Sequence, residues 1–193
     1  MSSLKPLPPF RQGYFDGLCG LYALINASRR ADRSLAISKC RSAFRCALRW
    51  LHDKYKGDPP TDFPEDFPKL LCCGMEVNPL LSLLKEFFEK RWPQISGKQL
   101  FTPANTPKGT KEFWRRIGYE ATRPGQGLII GIAPGRSTLD HWSVVDEIAD
   151  EKIVLSDSYY PKKALRLSDC GLNDEENPKH IIYPEGVILL KKK

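Results

Sequence analysis

A chain of 193 residues with 41% hydrophobic side chains can bury a sizeable core as one domain and needs no disulfide staple on size grounds. Its net charge of +7 is scattered over several segments without a dense basic block, so the charge reads as solubility, and nucleic acid is an unlikely partner by composition. No stretch approaches the roughly 20 apolar residues of a membrane span, and Met1 to Phe10 carries prolines where a signal peptide needs an apolar run. A protein made in the cytoplasm is therefore expected, with export by a route that reads no ordinary signal left open.

In chain order, Leu4 to Arg11 reads as an extended, proline-rich lead-in. Apolar spacing predicts a mostly buried helix from about Cys19 to Arg30, carrying Leu21, Leu24, Ile25 and Ala27. A second helix is expected from Ser38 to about His52, where Cys40, Ala43, Phe44, Ala47, Leu48 and Leu51 recur at three and four while Arg41, Arg45 and Arg49 form a basic stripe. The stripe reads as a solvated face. Gly57 to Pro68 holds four prolines and reads as a surface loop. Asn78-Pro79 looks like a helix start, with an apolar face running to Trp92 before Pro93, and a shorter helix is expected from Thr110 to Ile117.

The pattern then changes. Gly127 to Ala133, Asp140 to Ile148, Lys152 to Ser158 and Ile181 to Leu190 are short, rich in branched residues and bounded by turn formers, as strands are. Helices first and strands second predict an α+β domain, with N-terminal helices packed on a C-terminal antiparallel sheet.

The six cysteines (Cys19, Cys40, Cys46, Cys72, Cys73, Cys170) show neither spaced ligand pairs nor the density of a disulfide scaffold, and neither a metal nor another cofactor is expected. Cys19 differs from the rest. It lies between Gly17 and Gly20 at the start of an apolar helix, where free N–H groups and the positive end of the helix dipole favour a thiolate and small neighbours admit a substrate carbonyl.

The matching base is His141, at the head of a strand in Asp140-His-Trp-Ser-Val-Val-Asp-Glu-Ile148. A hairpin turning about Ala149 places Asp157 directly across from His141 on the same sheet face, where a carboxylate can hold the imidazole tautomer. Asp140 and Asp146 compete for that role. Asp140 is expected to point to the other face, and the hairpin register disfavours Asp146. His52, flanked by Asp53 and Lys54, is expected to be exposed, and His180 has no acid at comparable spacing. Trp142 is expected to face away from the histidine side, into packing.

Three blocks, Gln12 with Asp16-Gly-Leu-Cys-Gly20, His141-Trp-Ser-Val-Val145 and Leu155-Ser-Asp-Ser158, resemble the papain-like cysteine peptidase superfamily, and most closely the bacterial double-glycine leader peptidases and their stand-alone relatives. The resemblance implies a papain-like fold with Cys19 as nucleophile, His141 as general base and then acid, Asp157 as the orienting residue, and Gln12 assisting the Cys19 N–H at the oxyanion. Six residues separate Gln12 from Cys19, where papain-like enzymes commonly have one fewer. The implied reaction is amide hydrolysis of a peptide or protein through a thioester. Alternatives are a deamidase or transglutaminase-like effector using the same triad, and a non-catalytic papain-like scaffold that binds through the basic helix.

Overall fold

The computed structural model describes residues 18–55, 75–134, 141–156, 163–172 and 178–193. Its helices are α1 (Cys19–Ala31), α2 (Ile37–Tyr55), α3 (Val77–Ser82) and α4 (Thr110–Ala121). α3 runs on through a π-helical stretch, Leu83–Phe88, into a last turn, Glu89–Arg91. The strands are β1 (Ile95–Gln99), β2 (Gln126–Pro134), β3 (His141–Ala149), β4 (Lys152–Ser156), β5 (Lys163–Arg166), β6 (Cys170–Leu172), β7 (His180–Ile182) and β8 (Ile188–Lys192).

These strands form one sheet in the order β1-β8-β2-β3-β4-β5, with β7 also pairing β2 and β6 pairing β7. Every pair is antiparallel except β6 with β7. The protein is thus a mixed α+β fold with a mainly antiparallel sheet. β1 departs from the helices-then-strands order: it precedes α4 in the chain and takes the sheet edge beside β8.

The sheet has two dry faces because its central strands alternate apolar residues to both sides. One face carries Ile129, Trp142, Val144, Ile188 and Leu190 against α1, α2 and the α3 segment. The other carries Leu128, Ile130, Ile132, Val145 and Leu189 against Phe113 and Ile117 of α4. α1 lies so close to β2 that a Cβ at Gly127 would come 2.1 Å from the Ala27 carbonyl oxygen, so only glycine fits there.

Several expected elements shift in the structure. The single strand expected over Ile181 to Leu190 is two, because Pro184–Gly186 forms a 3-10 turn between β7 and β8. Both halves still flank the same strand, with Ile182 opposite Ile132 and Ile188 opposite Ile129. The helix expected to have Asn78 as its N-cap and Pro79 as its first residue starts two residues earlier, at Val77 with Glu76 as the cap, which leaves Pro79 in the first turn, where a missing N–H breaks no bond. The lead-in at Leu4 to Arg11, the Gly57 to Pro68 loop and the Cys72–Cys73 pair lie outside the described residues. No described helix is long and apolar enough to cross a membrane.

Candidate active site

Cys19 is the first residue of α1 and is 5% exposed. The first turn holds no acidic residue, and the last turn holds Arg29 and Arg30. α1 carries no carboxylate at all, so no acidic side chain of the helix offsets the partial positive charge of its N-terminus.

Gly20 seats this helix end on β3. A Cβ there would lie 3.0 Å from Leu80 Cδ1, 3.3 Å from Trp142 Cδ1 and 3.4 Å from Met75 Cβ. Trp142 is 3% exposed, and its indole Nε1–H donates to the Met75 carbonyl oxygen. Cβ positions at Gly131 and Gly186 would meet the same ring at 3.4 and 3.5 Å. One indole thus joins the start of α1, β2, the β7–β8 turn and the segment leading into α3. Cys19 and His141 are each one residue from this contact, at the same end of the sheet.

His141 opens β3, is partly exposed and pairs with Ile132. Ile132 belongs to the core on the α4 face, whereas Trp142 belongs to the core on the α1 face. Strand alternation therefore starts the His141 side chain on the face opposite α1. A thiol–imidazole contact has to be made around the N-terminal end of β3.

The hairpin register differs from the sequence expectation. The turn is Asp150-Glu151, with Ala149 paired to Lys152, and a bulge at Asp146 shifts the ladder so that Val145 faces Leu155 and Val144 faces Ser156. A turn about Ala149 would have set Val144 against Val154. The later turn moves the ladder by three positions and the extra residue of the bulge takes one back, a net displacement of two, which preserves face but not partner. The described ladder ends at Ser156, so Asp157 lies outside the described residues, as do Gln12 and Asp140.

Asp146, one of the competing acids, is engaged elsewhere. Its carboxylate and its backbone carbonyl both accept from the Arg30 guanidinium, which also donates to the Ala121 carbonyl at 3.3 Å. This clamp ties the end of α1 to the bulge and to the end of α4. His52 is exposed beside Asp53, with Nδ1 at 3.5 Å from the carboxylate. His180 opens β7 opposite Pro134.

Sequence reasoning assigned Trp142 to packing and missed what it packs against. The available signal was the set of glycines, Gly20, Gly131 and Gly186, whose missing side chains make room for one ring. Among the described residues no group of three or more His, Cys, Asp or Glu is arranged to hold a metal ion. No protein-family model and no curated protein matches this sequence.

Proposed function

We propose that the protein is a papain-like, thiol-dependent hydrolase that cleaves an amide bond of a peptide or protein. The observation that supports this most is the packing of Gly20 on Trp142, which sets the N-terminus of α1, with Cys19, at the head of the strand that begins with His141. The mixed α+β layout, with the cysteine helix against an antiparallel sheet, agrees with it.

In this reading the Cys19 thiolate adds to the amide carbonyl, and the oxyanion is held by the Cys19 N–H and Gln12. Collapse breaks the C–N bond, and the amine leaves with a proton from His141. Water, deprotonated by the same imidazole, then adds to the thioester, and the second collapse returns the thiolate and releases the acid. Asp157, immediately after the last described residue of β4, holds the imidazole tautomer.

The pH profile of Cys19 alkylation tests the pair without a known substrate. In the wild type, an imidazolium beside the thiol keeps alkylation fast well below the ordinary thiol pKa of about 8.5. In His141→Ala that acidic limb should disappear while the circular dichroism spectrum stays unchanged. Identical profiles in the two proteins would refute the pairing. Hydrolysis of a peptide library, read by mass spectrometry and abolished in Cys19→Ala, tests the reaction itself; a gain of about one mass unit without chain cleavage would show deamidation instead.

A further inference from the structure

α4 sits on the sheet face opposite α1, and its outer surface has no part in the proposed thiol chemistry. Lys111, Arg115 and Tyr119 follow one another at four-residue spacing along it, about 6 Å apart along the axis, and all three are exposed. Tyr119 is 62% exposed, the more open of the two exposed large hydrophobic side chains among the described residues. The Arg123 guanidinium stands 5.1 Å from the centroid of its ring.

Nearby acids do not neutralise this row. Glu112 accepts from the Lys108 backbone N–H at 2.8 Å, and Glu120 faces Lys191 at 3.6 Å. Among the described residues no carboxylate pairs with Lys111, Arg115 or Arg123. Arg116 is turned away, over the Phe101 ring at 4.5 Å, and donates to the Asn105 carbonyl.

We propose that this α4 face binds single-stranded nucleic acid, with Tyr119 as a stacking platform for a base and Lys111, Arg115 and Arg123 along the phosphates. An exposed aromatic ring with one guanidinium against it and two further cations on the same helix face, none paired with a carboxylate among the described residues, is the kind of arrangement that holds a single strand without reading its sequence. An acidic peptide needs the cations and leaves the ring unexplained. A membrane surface needs an apolar face, and α4 turns Phe113, Trp114 and Ile117 inward. The scattered charge of the sequence argued against a nucleic-acid partner; we depart from that expectation because these cations are exposed and aligned beside Tyr119.

Fluorescence anisotropy of a labelled oligothymidylate between about 50 and 200 mM salt tests this. The arginine row of α2 (Arg41, Arg45, Arg49) is exposed and unpaired among the described residues and has no comparably open aromatic, so it provides a charge-matched control. Wild type should bind saturably. Tyr119→Ala should weaken binding by about fivefold or more with the salt slope unchanged. The combined Lys111→Gln, Arg115→Gln and Arg123→Gln variant should lower the slope by about 0.7 per cation removed. The matching α2 triple variant should bind like wild type. Absence of saturable binding, an unaffected Tyr119→Ala, equal losses in both triple variants, or equal competition by polyglutamate or anionic vesicles would each overturn the assignment. Thermal melts confirm that each variant is folded.

Discussion

Gly20 and Trp142 meet where a side chain on the helix would have to go: a Cβ on Gly20 would sit 3.3 Å from Trp142 Cδ1 and 3.0 Å from Leu80 Cδ1. This contact seats the N-terminus of α1 on the sheet, and it makes graded substitutions at Gly20 informative.

The Leu80 methyl that crowds this position is the end of a flexible side chain and can rotate aside. Gly20→Ala also gains up to about 1 kcal/mol of helix propensity. Its stability in urea unfolding should therefore stay within about 1 kcal/mol of wild type, while Gly20→Val, whose added methyls press on Trp142 and Met75, should lose about 1–3 kcal/mol. Equal stability of both variants would contradict the packing.

Gly127 allows no such relief, because the obstruction is the backbone of α1 at Ala27. Gly127→Ala should lose about 3 kcal/mol or more, or fail to give soluble protein. A loss below about 1 kcal/mol in urea unfolding would rule out so close an approach of helix and strand.

Asp32, just past α1, is 2% exposed, and its carboxylate accepts from Lys192 Nζ at 2.8 Å, Ser34 Oγ at 2.8 Å and Gln94 Nε2 at 3.2 Å. The Lys192 ammonium above all, with Ser34 and Gln94, holds its carboxyl far below the usual carboxylate range against the opposing effect of burial. A depressed folded-state pKa means that the unfolded chain takes up the proton first. The stabilisation is complete above the unfolded value of about 3.9 and is lost as pH falls below it toward the folded value. The stability gap between wild type and Asp32→Asn should accordingly be constant from about pH 5 upward and shrink in acid. A gap independent of pH down to acid unfolding would show that the carboxylate charge contributes nothing.

The β3–β4 turn places Asp150 at φ 50° and Glu151 at φ 57°, the left-handed pair of a type I′ hairpin. Glutamate is a poor residue there and glycine a good one. Glu151→Gly should raise the urea midpoint, with a gain of about 0.5–1 kcal/mol, and leave the alkylation profile of Cys19 unchanged. A lower midpoint would mean that the Glu151 side chain makes a contact worth more than the strain.

Much of the fold was legible in the residue order because apolar periodicity is local. Leu21, Leu24 and Ile25 mark α1, Cys40, Ala43, Ala47 and Leu51 mark α2, and the Gly127 to Ala133 run marks β2. β1 escaped because Ile95 to Gln99 holds a glycine and three polar side chains and pairs with β8, far along the chain. The β7–β8 break had a local signal, Pro184-Glu-Gly186, which the branched residues on either side outweighed; the Trp142 ring that packs against Gly186 had none.

The candidate site divides along the same line. The sequence alone determined that Cys19 would open a helix and His141 a strand, since glycine placement and apolar spacing act within a few residues. Only the tertiary structure decided that Gly20 rests on Trp142, that the Asp150-Glu151 turn and a bulge at Asp146 leave the ladder two positions from the expected register, and that His141 starts on the face away from α1. Those outcomes follow from close packing and strand pairing between segments far apart in the chain, where one missing Cβ or one extra residue sets the geometry and no local preference records it.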